Sequence, residues 1–177
     1  MLQPTGRALR RATQRIGLVV MALGLAAPLA SADDRLGGHF GMVFPLVTRA
    51  HGDTTNIGDD FKVGFPMGIT VKKSGKYAFD LELVPVLDFN DDGAIGVPLT
   101  VHPGVLRDLG GSWTAGLRMA FDIGGASWGF TPLLNKGFAK DDHAYFVEFV
   151  LPIRFQDDAA GSGSTAIGFG VHLGVGF

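Results

Sequence analysis

The sequence contains no cysteine, and it has no long hydrophobic run beyond residue 32. The absence of cysteine excludes disulfide bonds and a lipid anchor attached through cysteine, so burial and backbone pairing must hold the fold. No stretch after residue 32 reaches the roughly 18 consecutive apolar residues that indicate a transmembrane helix. Helical periodicity is also nearly absent there. These absences exclude a disulfide scaffold and a helical membrane protein.

Residues 1–32 have the features of a secretory signal peptide. Four arginines and no acidic residue precede an apolar run from Ile16 to Ala30, and Ala30-Ser31-Ala32 provides the small residues that signal peptidase recognises. The run is short for a membrane-spanning helix, which argues against the alternative of an uncleaved anchor. We expect cleavage after Ala32, which leaves residues 33–177 as one domain.

The charge of the remaining chain is acidic. Residues 1–32 hold four of the 15 basic residues and none of the 17 acidic ones, so residues 33–177 carry a formal charge of −6. A protein that binds nucleic acid needs a basic face to neutralise phosphates. We therefore expect no nucleic acid partner.

Alternation of apolar and small or polar residues with a period of two predicts strands. It is clearest at the carboxyl terminus, where one face holds Phe169, Val171, Leu173, Val175 and Phe177 and the other holds glycines and His172. Similar patterns occur at 61–72, 77–84, 113–123 and 145–155, and weaker ones at 38–49, 94–106 and 128–138. Turn-forming stretches separate these segments at 50–60, 73–76, 90–93, 107–112, 124–127, 139–142 and 157–164. We predict an all-β fold, an eight-stranded antiparallel up-and-down β-barrel.

The apolar faces predict a transmembrane barrel. An eight-stranded barrel is narrow, so the large apolar side chains cannot all point inward. In a soluble barrel of the lipocalin type, the outer face would be polar instead. Aromatic residues fall at both ends of the predicted strands, as interfacial girdles do: Tyr77, Trp113, Tyr145 and Phe177 at one end, Phe61, Phe89 and Trp128 at the other. We therefore expect the apolar faces to contact lipid and the glycines and charges to fill the lumen.

With these features the chain resembles the small eight-stranded outer-membrane barrels, such as the OmpA transmembrane domain, OmpX, OmpW and the lipid A deacylase PagL. The resemblance covers nearly all of residues 33–177 and is mostly architectural. Its most specific part is the terminal pattern from Phe169 to Phe177, which is similar to the signal that the barrel-assembly machinery recognises. The family usually has glycine five residues before the final aromatic residue, where this chain has His172. The resemblance implies location in the bacterial outer membrane, contact with its lipid and lipopolysaccharide, and periplasmic termini.

Charged residues on the predicted inner faces form a candidate site. They comprise Lys62, Lys72, Asp80, Glu82, Arg118, Asp122, Glu148 and Arg154, four of each sign, together with His102 and His172. Buried charges must be paired, so we favour a salt-bridged plug that rigidifies the barrel. A water-filled pore is the alternative, although eight strands leave little room for one.

Two further kinds of chemistry have weaker support. Glu82, His102, Glu148 and His172 lie at one predicted depth and could bind a metal, but no local ligand motif supports this, so we predict no metal or other cofactor. A barrel hydrolase needs a nucleophile near its base. His51 and His143 have no nearby serine in the sequence, so we predict no enzymatic activity.

Six prolines occur within predicted strands, where proline is unexpected because it cannot donate to the backbone ladder. Each lies between apolar or β-branched residues: Pro45, Pro66, Pro85, Pro98, Pro132 and Pro152. One hypothesis is a belt of bulges at one depth in the outer half of the barrel. The alternative is that the prolines mark the ends of regular pairing.

These observations predict a non-enzymatic outer-membrane barrel that is structural or binds a small ligand. Two alternatives remain open, a narrow conduit for small or apolar solutes and an enzyme that modifies lipid A. Acidic pairs in the predicted outer loops (Asp59-Asp60, Asp91-Asp92 and Asp157-Asp158) could gather divalent cations near lipopolysaccharide. We favour solvated turn residues instead, because similar acidic pairs occur on the predicted periplasmic side.

Overall fold

The structure, a computed structural model, describes residues 35–72, 75–89, 95–125, 127–157 and 163–177. These residues form twelve β-strands: β1 (Arg35–Ala50), β2 (Asp53–Asn56), β3 (Lys62–Gly64), β4 (Met67–Lys72), β5 (Tyr77–Phe89), β6 (Ile95–Gly96), β7 (Leu99–Gly110), β8 (Trp113–Ile123), β9 (Ser127–Lys140), β10 (His143–Val150), β11 (Ile153–Asp157) and β12 (Gly163–Gly176). The prediction of an all-β chain is confirmed. No helix among the described residues is long and apolar enough to cross a membrane.

The strands pair antiparallel with their neighbours in sequence, and the last one returns to the first. The order of pairing is β1, β4, β5, β7, β8, β9, β10 and β12. β12 then pairs with β1 from His39 opposite Gly176 to Arg49 opposite Ile167. We call this closed path of eight strands the strand ring. At one end, Gly111 and Ser112 form a tight turn between β7 and β8, and Asp141 and Asp142 form one between β9 and β10. At the other end His51 and Gly52, both with positive φ, form the two-residue turn between β1 and β2.

Four of the six prolines lie in or beside interruptions of regular pairing. Pro66, Pro98 and Pro152 separate β3 from β4, β6 from β7 and β10 from β11, and the register between β1 and β12 shifts just after Pro45. Pairing resumes beyond each break, so the prolines interrupt the strands and do not end them.

Backbone hydrogen bonds between neighbouring strands join five of the prolines into two groups. The N–H groups of Phe65 and Val86 donate to the carbonyls of Pro85 and Pro98, both at 2.9 Å, which joins Pro66, Pro85 and Pro98. The N–H of Leu151 donates to the carbonyl of Pro132 at 3.0 Å, which joins Pro132 and Pro152. These bonds establish adjacency across the sheet and leave the level belt as a prediction.

The two faces of the strands differ as the alternation predicts. On β12, Ile167, Phe169 and Leu173 are exposed, whereas Gly168, Gly170 and His172 are buried. The same division holds on β5, β8 and β10, where large apolar residues face outward and charged residues face inward. The interior of the strand ring therefore holds the polar side chains, and the apolar side chains cover its outside.

Some sequence predictions concern residues outside the described ranges. The predicted signal peptide, residues 1–32, is one of these, as are the turn at 90–93 and parts of those at 73–76, 124–127 and 157–164. These remain predictions.

Candidate functional site

The inward faces of the strands bring seven ionisable side chains together in the middle of the strand ring. We call them the interior cluster: His39, Asp80, Glu82, His102, Arg118, Glu148 and His172. All are buried except His39, which is partly buried, with 10% of its side chain exposed. Four of them come from the predicted set of lumen charges, and His102 and His172 were predicted beside it.

Arg118 is the central cation of this cluster. Its Nε donates to Asp80 Oδ2 at 2.7 Å and its Nη1 to Glu148 Oε1 at 2.8 Å. Nη1 also lies 3.3 Å from Glu82 Oε2. One guanidinium on β8 thus bridges carboxylates on β5 and β10, two strands away on either side. Such charge-assisted bonds are the strong ones among protein hydrogen bonds.

Three histidines complete the surroundings of the carboxylates. Glu82 contacts His39 Nε2 and His102 Nδ1, each at 2.9 Å. His172 Nδ1 lies 3.2 Å from Glu148 Oε1. The register explains the contacts within strand pairs, because Glu82 faces His102 and Glu148 faces His172 directly across the sheet.

All eight strands of the strand ring contribute side chains to this network. Besides the interior cluster, Thr70 on β4 donates to Asp80 Oδ1 at 2.7 Å, and Asn135 Nδ2 on β9 lies 3.3 Å from Glu148 Oε2. His39 on β1 contacts Glu82 on β5, so the network also connects the two strands that lie on either side of β4. Because His39 and Arg118 come from opposite sides of the strand ring, the network spans its interior from wall to wall.

Arg154 joins the interior cluster from the side of the hairpin turn between β1 and β2. Its Nη2 lies 3.1 Å from His102 Nε2. Its Nη1 donates to Thr131 Oγ1 and to the carbonyls of Phe130 and Ile153 at 3.1 to 3.3 Å. Arg154 is therefore bonded both to the interior cluster and to the wall of the strand ring.

Three other predicted lumen residues lie apart from the interior cluster. Lys72 is exposed at the end of β4 and lines both cavities described below. Lys62 forms ion pairs with Asp60 at 2.9 Å and Asp88 at 3.1 Å, and about a third of its side chain is exposed. Asp122 accepts a hydrogen bond from Thr100 Oγ1 at 2.6 Å. The alternation placed Lys62 and Asp122 on the inward face, but they are several residues further along their strands than the cluster.

Three residues of this interior are not predicted from the sequence: His39, a member of the cluster, and Asn135 and Phe146, which contact it. Leu36, Phe40 and Met42 are exposed on one face of β1, so His39 belongs to the opposite face, although the glycines beside it weaken this pattern. Phe146 packs edge-on against His172, with ring centroids 4.8 Å apart. Apolar side chains thus also fill part of the interior, which the polar pattern alone does not predict.

One subset of the cluster has the composition of a metal site. Atoms of Glu82, Glu148 and His172 lie within 4.8 Å of one another. However, Arg118 Nη1 already lies between the two carboxylates, at 3.3 Å and 2.8 Å. A divalent cation would have to displace this guanidinium, so the Arg118 side chain suits these carboxylates as their cation better than a metal ion does.

A cavity of about 410 Å³ lies next to the interior cluster. Arg118, Glu148 and His39 line it on one side, and residues of the tight turns, such as Asp142, line it on the other. A second cavity of about 450 Å³ shares Thr70, Asn135 and other lining residues with it. Together they form a vestibule that reaches from the turn end of the strand ring to the cluster.

We compared the chain with protein-family models, with curated proteins and with solved structures. None of these comparisons finds a match. The functional assignment therefore rests on the strand ring, its two faces and the interior cluster.

Proposed function

We propose that this protein is a non-enzymatic β-barrel of the bacterial outer membrane, similar to the small eight-stranded barrels, with a lumen blocked by the interior cluster. It acts as a structural element of the membrane or binds a small ligand in the vestibule. The observation that carries this proposal is the combination of an apolar outside with a charged interior.

The outside of the strand ring has the character of a lipid-facing surface. Large apolar side chains are exposed on every strand of the ring, among them Phe40, Ile69, Leu117, Phe149 and Phe169. Soluble monomers rarely expose contiguous apolar patches larger than a few hundred Å². Burial in hydrocarbon explains a surface of this kind on all sides.

Aromatic and cationic side chains at the turn end of the strand ring also support a membrane location. Tyr77, Trp113 and Tyr145 are exposed at or near the first residues of β5, β8 and β10. Arg107 lies 5.9 Å from the centre of the Tyr77 ring, and Lys136 Nζ lies 5.1 Å from the Trp113 ring. Such residues suit the headgroup region, where an apolar body meets lipid and a polar end meets water.

The pairing geometry supports a barrel. Following paired residues around the strand ring from Lys72 leads to Pro45 on β1, two residues beyond Val43, through Ala78, Leu106, Gly116, Leu133, Val150 and Gly170. Val43 faces Gly64 on β3, so Pro45 corresponds to a position two residues before Gly64. That position is about ten residues from Lys72, where the path began. An offset of this size tilts the strands by roughly 35–45°, as barrel closure requires. Within the described residues, each strand of the strand ring is paired on both sides, which avoids the cost of several kcal/mol per unpaired group that hydrocarbon would impose.

The interior cluster favours a closed lumen over a conduit. Its side chains come from all around the strand ring and bond to one another in the middle, so a solute cannot pass without breaking ion pairs. Removing one partner of a buried ion pair costs about 3–5 kcal/mol. The vestibule ends at this cluster, which suits a small ligand held from the turn end.

The experiment is to refold residues 33–177 into lipid vesicles and planar bilayers. We expect a folded form that migrates differently from the heated form in electrophoresis, resistance to protease, and no steady conductance steps near neutral pH. A chain that stays soluble and monomeric without lipid would overturn the membrane assignment. Discrete conductance steps near neutral pH would instead support the narrow conduit.

The enzymatic alternative has a separate test. Mass spectrometry of lipid A from cells with and without the protein should give identical spectra. A mass change that depends on the protein would support a lipid-modifying enzyme and contradict the proposed function.

A further inference from the structure

His102 occupies a special position among the three histidines of the interior cluster, because both of its ring nitrogens contact charged groups of opposite sign. Nδ1 lies 2.9 Å from Glu82 Oε1 on β5. Nε2 lies 3.1 Å from Arg154 Nη2 on β11. The imidazole therefore connects an anion and a cation from two different parts of the strand ring.

These two partners determine the protonation state of the imidazole. A guanidinium is always charged and offers only donors, so His102 Nε2 must accept the hydrogen bond from Arg154. Glu82 also faces Arg118 and His39, which favours its ionised, acceptor-only form. His102 Nδ1 must then carry the hydrogen. The contacts thus require the neutral Nδ1–H tautomer.

The other two histidines differ in what a second proton would meet. His39 Nδ1 lies 3.9 Å from Asp80 Oδ1, so a proton there faces a carboxylate. His172 Nε2 has no hydrogen-bond partner among the described residues and points towards the backbone at Gly41. Only at His102, of these three, does a second proton remove an existing hydrogen bond and place a new cation against an arginine.

We propose that His102 is an acid-sensitive latch of the lumen: the neutral imidazole ties Arg154 to the interior cluster, and protonation releases it. This inference rests on the proposed barrel and names how its blocked lumen is regulated. The charged groups around the imidazole are Glu82 from β5, Arg118 from β8 and Arg154 from β11. Two of these three are cations, and Glu82 is already shared with Arg118 and His39.

The remaining contacts of Arg154 indicate where it goes after release. Its bonds to Thr131 and to the carbonyls of Phe130 and Ile153 do not involve His102, so they persist. Arg154 is then held against the wall formed by β9 and β11 and no longer reaches across to β7. This movement widens the passage on the side of the interior cluster away from the vestibule.

The first test is the protonation state itself. Nitrogen NMR of the histidine-labelled protein, refolded in detergent micelles, should show His102 as a neutral Nδ1–H imidazole near neutral pH. The variant Arg154→Met removes the opposing cation, so the pH at which His102 gains its second proton should rise. An imidazolium at His102 near neutral pH, or an unchanged titration in Arg154→Met, would overturn the latch.

The second test is conductance in planar bilayers from about pH 7.5 down to about pH 4, a range that extends below the ordinary titration of histidine because two cations oppose the second proton. The wild-type protein should show a severalfold increase in open events in acid. His102→Gln, which cannot titrate, should show none. His51→Gln is the matched control, because His51 lies exposed in the hairpin turn, and it should respond as the wild type does.

The same acid response in His102→Gln would contradict the latch while leaving the barrel intact. Failure to insert into bilayers at any pH would instead contradict the proposed function, and the NMR experiment in micelles would still test the tautomer.

Discussion

Replacing Arg118 by methionine removes the central cation of the interior cluster and keeps a side chain of similar length. Arg118 is 3% exposed and contacts three carboxylates. Removing one member of a buried ion pair costs about 3–5 kcal/mol, because the remaining charge has no counterion. Each carboxylate keeps other partners: Asp80 keeps Thr70, Glu82 keeps two histidines, and Glu148 keeps His172 and Asn135. We therefore expect the lower end, a loss of about 3 kcal/mol.

The matched control is Lys62→Met, which makes the same change from a cation to methionine at a site with two acidic neighbours. Because about a third of the Lys62 side chain is exposed, its ion pairs are worth less than about 1 kcal/mol. Urea unfolding in lipid vesicles, followed by the fluorescence of the two tryptophans, measures both free energies. A loss below about 1 kcal/mol for Arg118→Met would mean that water solvates the three carboxylates, and it would refute the closed lumen.

Three further experiments test the packing, the assembly and the processing of the chain. A Cβ at Gly41 would lie 2.6 Å from His172 Nε2, so Gly41→Val should lower the unfolding free energy by about 1–3 kcal/mol. Gly137→Ala should change it little in the same urea experiment, because its Cβ would meet only Ser112 O at 3.8 Å. Replacing Phe177 by serine should reduce the amount of protein in outer-membrane fractions. Amino-terminal sequencing of the exported protein should begin at Asp33; a start at Met1 would contradict cleavage.

The strands could be predicted because each carries its information locally. Alternation along β5, β8, β10 and β12 identifies the face that is buried, and the structure agrees. Their extent is predicted less well, because β5 continues to Phe89 and β10 ends at Val150. Turn residues identified the connections for the same reason. The interruptions at Pro66, Pro98 and Pro152 were predicted in position, whereas the resumption of pairing beyond them depends on neighbouring strands.

The composition of the interior cluster could be predicted only in part. The sequence identifies which side chains face inward, but the depth at which they meet depends on the register between strands. Lys62 has the correct face and lies too far along its strand to reach Arg118. His39 was missed because its strand has a weak pattern of glycines and apolar residues. The distance of Lys62 from Arg118 and the place of His39 in the interior cluster are not visible in a single segment, since both are determined by pairing between segments distant in sequence.

The closure of the strand ring between β1 and β12 has a consequence for biogenesis. β1 and β12 are the first and last strands that the structure describes, so β1 cannot find this partner until the rest of the chain has been delivered. Every shorter intermediate has two open edges, and such edges invite pairing with other chains. For the proposed outer-membrane barrel, we therefore expect a chaperone to shield these edges during transit, and we expect insertion to coincide with joining of the two ends.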